Sequence, residues 1–199
     1  MTTSPLTNDQ GQTLVQLARF IIMEKLGRTP PDKPYQALQA KLAEPCFDQV
    51  AGVFVTLTLN SRLRGCIGSL EGTTPLRKEV CCNASKAAFE DSRFQPLDVD
   101  ELERVHIEVS ILTPPHPLEY SSTTDLLNQL RPGVDGVILR QGISGATFLP
   151  QVWEQLPQPE RFLGQLCLKA GLPEKKWQTD SLEIETYQVQ SFEEPCETE

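Results

Sequence analysis

The sequence has no long apolar run and no recognisable targeting segment. Nowhere do about 18 apolar residues follow one another, which is the length that crosses a bilayer as a helix. The N-terminal segment Met1–Pro5 lacks the basic residues and the apolar stretch of a signal peptide. We therefore expect a cytoplasmic protein with no membrane partner.

Metal-ligand and cofactor motifs are also missing. A structural zinc site needs four soft ligands close together, but the sequence has only two histidines, His106 and His116, and no CxxC pair. It contains no P-loop, GxGxxG, HExxH or GxSxG motif either. We expect neither a metal nor a cofactor. In a chain of this size we also expect reduced thiols at Cys46, Cys66, Cys81, Cys82, Cys167 and Cys196.

Basic residues are few relative to acidic ones. The 199 residues include 18 Lys and Arg against 27 Asp and Glu, a formal net charge of −9, so the chain repels phosphate backbones and no nucleic-acid partner is expected. Hydrophobic residues at 39% and charged residues at 23% are typical of a globular protein. The length is that of one large domain or two small subdomains. The glutamates after Ser191 indicate a solvated acidic tail over residues 193–199.

Apolar residues at helical spacing predict four helices. They run from Thr13 to Leu26, from Pro75 to Glu90, from Asp125 to Leu130 and from Glu160 to Ala170. Asp9 and Gln12 are expected to form a capping box at the first helix, and Thr74 to cap the second. The prolines of Thr29–Pro34 predict a loop.

Alternating apolar residues predict strands between these helices. They are Val53–Leu59, Leu63–Ser69, Arg104–Leu112, Val137–Arg140, Ala146–Leu149 and Leu182–Val189. The short turn Asn60–Arg62 makes the first two a hairpin. In the last strand the alternation changes phase near Thr186 and Tyr187, which indicates a bulge. Hairpins interspersed with helices indicate an α+β fold with a mixed or antiparallel sheet.

The segment Leu63–Gly72 carries the chemistry, if any segment does. Its glycines, in and just after a strand, mark bulges or the close approach of another backbone or a ligand. Strand alternation places Leu63 and Ile67 on the core face, and Arg64 and Cys66 together on the other. A guanidinium beside a thiol favours the thiolate, so Cys66 is a candidate nucleophile or redox centre. The alternative is a packed cysteine, with Arg64 paired to a structural carboxylate.

Two further groups of polar residues are candidates for the same site. Asp91 and Arg93 follow the second predicted helix and form either a local ion pair or a second polar wall of a binding site. His106 and Glu108 share a strand face, and His106 would give Cys66 a general base if the two strands adjoin. The positive charge of Arg64 and Arg93 on an acidic protein suggests an anionic ligand.

The segment Arg64–Gly68, which reads Arg-Gly-Cys-Ile-Gly, resembles the signature of the AMMECR family, whose bacterial and archaeal members belong to the AmmeMemoRadiSam system. The resemblance runs nearly the whole length. Segments that carry it are Gly52–Leu57, Asp91–Pro96, Ile107–Leu112, Gly133–Leu139, Phe148–Val152 and Lys169–Leu172, followed by Trp177.

The resemblance implies one domain over residues 1–192, built from two unequal, intertwined subdomains with a cleft between them. It implies no settled reaction. It places the signature at the cleft, namely Arg64, Gly65, Cys66, Ile67 and Gly68. Genes for a Memo-like protein and a radical S-adenosylmethionine protein typically lie beside that of a prokaryotic member, which implies a shared modification pathway. We therefore expect binding of a small anionic or peptide ligand, or of a partner, at this motif. The alternative is an enzyme that uses Cys66 as nucleophile or redox thiol.

Overall fold

Helices and hairpins alternate along the chain in the computed structural model, which describes residues 4–179 and 182–195. Within these residues there are five α-helices: α1 (Asn8–Lys25), α2 (Asp32–Lys41), α3 (Leu76–Phe89), α4 (Thr123–Gln129) and α5 (Pro159–Lys169). The strands are β1 (Gly52–Leu59), β2 (Arg62–Ser69), β3 (Val105–Leu112), β4 (His116–Pro117), β5 (Gly136–Gln141), β6 (Ser144–Phe148), β7 (Glu183–Tyr187) and β8 (Val189–Glu193). No helix in the described ranges has the length and apolar character needed to span a membrane.

The chain forms two compact units, each with its own four-stranded antiparallel sheet, so the predicted α+β class is confirmed. Unit 1 takes the described residues of Met1–Leu112 and Gln190–Glu199, with strand order β2-β1-β3-β8. Unit 2 is Thr113–Val189, with strand order β4-β7-β5-β6. The predicted cleft between subdomains stays a prediction.

The hairpin β1–β2 is antiparallel, as predicted. Its turn has Asn60 and Ser61 at φ values of +52° and +60°. Two successive residues with positive φ make the type I′ turn that matches the twist of a hairpin. The register then shifts between Leu57 and Thr58, because Arg64 is an extra residue in β2. This β-bulge lies inside the motif.

One face of the unit 1 sheet carries the core. Side chains along β1 alternate between buried ones (Val53, Val55, Leu57) and partly buried ones (Phe54, Thr56, Thr58). Helices α1 and α3 pack on the buried side. The small residues Ala84 and Ala87 of α3 let its backbone approach the sheet closely. Each large aliphatic side chain buried here contributes about 1.5–3 kcal/mol relative to exposure.

The helix ends differ from the prediction. The capping box of α1 is formed by Thr7 and Gln10, because the helix begins five residues before the predicted start at Thr13. Pro75, not Thr74, is the N-cap of α3. Helix α2 begins inside the predicted proline loop. Pro34 is tolerated in its first turn, where a backbone N–H has no intrahelical acceptor.

The last predicted strand is two strands. β7 ends at Tyr187 in the sheet of unit 2, and β8 begins at Val189 in the sheet of unit 1. The phase change near Tyr187 is therefore the passage between sheets, not a bulge. Ser191 and Glu193, expected near or in a solvated tail, belong to β8. Residues 196–199 of that tail, including Cys196, lie outside the described residues.

Unit 2 has a separate core around an aromatic stack. The rings of Trp153 and Phe162 lie parallel, with centroids 3.7 Å apart, and both are buried. The Trp153 Nε1–H donates to the carbonyl oxygen of Asp135 at 2.7 Å, which satisfies the one polar group of the indole. Trp153 and Phe162 are packing residues of the unit 2 core.

Candidate functional site

The glycines of the motif lie where another part of the protein approaches the backbone. A Cβ at Gly65 would lie 2.1 Å from the carbonyl oxygen of Ala87 in α3, and one at Gly68 would lie 2.3 Å from that of Val53 in β1. Gly72 is equally crowded by backbone atoms. Of the two alternatives left open by the sequence, another backbone or a ligand, the structure has the first at these positions.

The backbone of Cys66 is held by two side chains from the loop after α3. β2 is an edge strand, so every second residue points its N–H and C=O away from the sheet. The Cys66 N–H donates to Asp91 Oδ2 at 2.9 Å, and Arg93 Nη2 donates to the Cys66 carbonyl oxygen at 3.1 Å. Asp91 and Arg93 therefore satisfy the two backbone groups that a neighbouring strand would take.

Asp91 is a buried carboxylate that accepts hydrogen bonds from Cys66 and Arg93. Its side chain accepts from the Nε and Nη2 of Arg93 at 2.9 and 2.7 Å. The hydrogen-bonded Arg93 guanidinium lowers the pKa of Asp91 well below its ordinary value, against the effect of burial, and the Cys66 N–H lowers it further. Asp91 is thus ionised at neutral pH. The structure places Asp91 and Arg93 beside the motif, where both hydrogen-bond the backbone of Cys66.

Arg64 is engaged in a second ion pair. Its Nε and Nη2 donate to the two carboxylate oxygens of Glu101 at 2.8 and 2.7 Å, a bidentate arrangement. Both side chains are largely buried, with 13% and 19% of their surfaces exposed. Hydrogen bonds from Arg64 lower the pKa of Glu101. Glu101 therefore neutralises the positive charge of Arg64. Of the two alternatives for this side chain, the structure has the one in which Arg64 pairs with a structural carboxylate.

Phe94 links the two ion pairs. The guanidinium carbons of Arg64 and Arg93 lie 6.0 and 5.5 Å from the centroid of its ring. At these distances cation–π attraction contributes about 0.5–1 kcal/mol where the cation is exposed. Glu101, Arg64, Phe94, Arg93 and Asp91 therefore form one connected group along the edge of β2.

The side chain of Cys66 belongs to the face of the sheet that α1 and α3 do not cover. Thr56 of β1 lies directly opposite both Cys66 of β2 and Glu108 of β3. Thr56 Oγ1 donates to Cys66 Sγ at 3.4 Å, and Ser110 Oγ donates to Glu108 Oε1 at 2.8 Å. We call these three residues the Cys66–Thr56–Glu108 row. It places a thiol, a hydroxyl and a carboxylate within about 10 Å, two strand spacings.

His106 is not the base of a Cys–His pair. It lies opposite Thr58 on β3, and β1 separates β3 from β2. Its Nε2 is 2.8 Å from the carbonyl oxygen of Glu194, to which it donates a hydrogen bond. Within the described ranges, no group of three or more His, Cys, Asp or Glu residues has an arrangement that suits a metal ion.

The bulge changes which motif residues share a face. Leu63, predicted in the core, is 44% exposed, whereas Ile67 packs against the core as predicted. Sequence reasoning missed Glu101 and Thr56. Glu101 lies 37 residues from its partner Arg64, and no local signal links them. Thr56 lies on the face of β1 away from the core, but the bulge obscures its pairing with Cys66 in the sequence.

Known proteins match this chain over nearly its whole length. The family model AMMECR1 matches residues 15–192. This chain belongs to the AMMECR1 family. A protein of Methanothermobacter thermautotrophicus is 39% identical over 201 residues, which cover 96% of this chain and 97% of the relative. Protein MK0488 of Methanopyrus kandleri is also 39% identical, over 95% of this chain and 90% of its own.

A solved structure supports the fold. The crystal structure of an uncharacterized protein from Pyrococcus horikoshii is similar to this chain with a TM-score of 0.79 and 32% sequence identity. The match covers 95% of this chain and 93% of the other. The arrangement of helices and sheets is therefore that of the AMMECR1 family.

Proposed function

We propose that this protein is a cytoplasmic binding component of a modification pathway, and that it recognises a peptide-like ligand or a partner protein at the Cys66–Thr56–Glu108 row. The main support is the double fixation of the Cys66 backbone by Asp91 and Arg93. These bonds satisfy the outward backbone groups of an edge strand and also hold the Cys66 side chain in one position, which benefits a side chain that contacts a ligand.

The chemistry of the row favours a ligand with hydrogen-bond donors. Thiol sulfur, hydroxyl oxygen and carboxylate oxygen all accept hydrogen bonds. They therefore suit a ligand that donates them, such as the N–H groups of a peptide backbone or an amine. The anionic ligand expected from the sequence loses its support, because Glu101 neutralises Arg64 and Asp91 neutralises Arg93. The partner classes remain those implied by the family resemblance: a Memo-like protein and a radical S-adenosylmethionine protein.

Titration calorimetry with these two purified proteins from the same genome tests the proposal. A bulky Cys66→Phe substitution should weaken binding at least ten-fold, because it fills the space above Thr56. Cys82→Phe, on the exposed face of α3, is the matched control and should leave the affinity unchanged. Thr56→Val is the milder second variant. If neither protein binds the wild-type chain, or if both phenylalanine variants bind equally well, the proposal fails.

A second candidate function is chemistry at the Cys66 thiol, as nucleophile or redox centre. The observation that favours it is the hydrogen bond from Thr56 Oγ1 to Cys66 Sγ, which orients the sulfur lone pairs. Mapping of iodoacetamide labelling by mass spectrometry should then show Cys66 reacting faster than the part-buried Cys46 and Cys81, with Thr56→Val changing the rate at Cys66 alone. Equal rates at these part-buried thiols would exclude this role.

A further inference from the structure

Unit 1 has a cavity of about 600 Å³ on its helical side, between α1, α2 and α3. This volume is typical of sites for small organic molecules. Its walls are mostly apolar and include Leu17, Phe20, Ile21, Tyr35, Leu42 and Ala43. The rings of Phe20 and Tyr35, with centroids 6.1 Å apart, give it an aromatic side. The cavity lies on the face of the sheet opposite to Cys66.

The polar groups of this cavity come from α3, which carries Arg77, Lys78 and Cys81, and from other elements, which contribute Glu24, Gln39 and Asp48. Arg77 and Lys78 lie in the first turn of α3, and Cys81 follows Lys78 by three residues, on the same side of the helix. Arg77 Nη1 is paired with Asp48 Oδ1 at 2.6 Å, whereas Lys78 is exposed and forms no salt bridge with a described residue. Burial and the nearby carboxylate of Glu24 raise the pKa of Cys81 to about 11, so this thiol is neutral.

These groups give the cavity one positive and one negative end. Lys78 and the N-terminal end of the α3 dipole favour a negative charge at the start of the helix. One turn further on, the carboxylate of Glu24 disfavours it, and the neutral thiol of Cys81 supplies no positive charge to offset that carboxylate. An anionic ligand therefore has a single favourable orientation, with its charged group at Lys78 and its body over Cys81 and the aromatic side.

We propose that this cavity binds a small organic ligand with a flat apolar body and one anionic group, which lies at Lys78. The probe 8-anilinonaphthalene-1-sulfonate has this chemistry, and N-phenyl-1-naphthylamine is the same body without the sulfonate. We expect the first to bind at one site, with fluorescence that saturates, and about five-fold more tightly than the second, because one exposed charge contact contributes up to about 1 kcal/mol.

Two pairs of variants locate the probe. Ala43→Trp fills the cavity and should abolish binding of both probes, whereas Ala40→Trp, exposed on α2 outside the cavity, should not. Lys78→Ala should remove the preference for the sulfonate, whereas Lys86→Ala, exposed near the other end of α3, should keep it. Circular dichroism confirms that each variant is folded. Saturable binding that survives Ala43→Trp, or a preference unchanged by Lys78→Ala, would overturn the proposal.

A measurement on the wild-type chain needs no variant. The sulfonate probe should slow alkylation of Cys81 by iodoacetamide at least five-fold at saturation, since the ligand body covers this thiol. Its exposed neighbour Cys82 reports on general effects of the probe and should keep its rate. If Cys81 is alkylated equally fast with and without the probe, the ligand does not occupy this cavity, and the proposal is wrong.

Discussion

The carboxylate of Asp91 accepts a hydrogen bond of 2.9 Å from the backbone N–H of Cys66, 25 residues earlier in the chain. This bond joins the two sequence motifs that most clearly mark the family resemblance, the Arg64–Gly68 strand and the segment that begins at Asp91. Arg93 completes the link by donating to the Cys66 carbonyl oxygen. The two motifs are therefore joined directly, since the side chains of Asp91 and Arg93 hydrogen-bond the backbone of Cys66. These two bonds do not involve the Cys66 side chain.

Asp91→Asn should destabilise unit 1 by roughly 2 kcal/mol at neutral pH, because an amide cannot replace the charge that Arg93 and the Cys66 N–H bind. The folded pKa of Asp91 lies below its unfolded value of about 3.9, so its stabilising contribution is complete above about pH 5 and is lost as the pH falls below 4. Chemical denaturation of the wild-type chain and of Asp91→Asn from pH 3 to 7 measures the difference between their free energies of unfolding.

The exposed residue Asp100 provides the control, since Asp100→Asn should leave the unfolding free energy within about 0.5 kcal/mol of wild type. A deficit of Asp91→Asn that stays constant down to pH 3 would mean that the ionised carboxylate is not what stabilises the strand edge.

Arg64→Ala should lower the free energy of unfolding by about 3 kcal/mol, because it leaves the largely buried carboxylate of Glu101 without its partner. Glu101→Gln should cost less, and the double variant should be less destabilised than the sum of the single ones. Arg62→Ala, at the exposed start of the same strand, should have almost no effect. Additive costs in this double-mutant cycle would show that the pair is not coupled.

Gly65→Ala should be strongly destabilising, by about 3 kcal/mol, because the new Cβ would lie 2.1 Å from the Ala87 carbonyl oxygen and α3 would have to move off the sheet. Gly145→Ala in β6 is the matched control. Its Cβ would come only to 3.3 Å from the nearest atom, so a smaller cost is expected. Thermal unfolding of the two variants decides the matter, and equal melting temperatures would contradict the close helix–strand contact.

Ser61→Gly should stabilise the protein by about 0.5–1 kcal/mol. Ser61 has a φ of +60°, which a side chain disfavours, and Asn-Gly is the preferred pair for a type I′ turn. The same change at Ser85, inside α3, should destabilise by a similar amount, since glycine is a poor helix former. Loss of stability in Ser61→Gly would argue against this turn.

The β1–β2 hairpin shows how far the sequence alone leads. Its two strands and their antiparallel pairing follow from alternation and a short turn, but the bulge at Arg64 does not. Counting outward from the turn would pair Thr56 with Gly65, whereas the bulge pairs it with Cys66. The side chains that share a face with Cys66 therefore depend on one extra residue that carries no sequence signal of its own.

The ion pair between Arg64 and Glu101 also has no local signal in the sequence. The sequence singles out Arg64 and Arg93, but Glu101 lies in a loop with many acidic neighbours, and nothing local selects it as the partner of Arg64. The division of the last strand into β7 and β8 left a visible trace, the change of phase near Tyr187. A phase change alone does not distinguish a bulge from a strand that leaves one sheet for another.

The proposal that a partner contacts the Cys66–Thr56–Glu108 row is tested most directly by mapping amide chemical shifts. The ¹⁵N-labelled chain is titrated with the purified Memo-like protein and, separately, with the radical S-adenosylmethionine protein. The account predicts that the perturbed amides, for at least one of them, cluster at Phe54, Thr56, Cys66 and Glu108 and spare α2. Perturbations confined to the helical side of unit 1, or none with either protein, would contradict it.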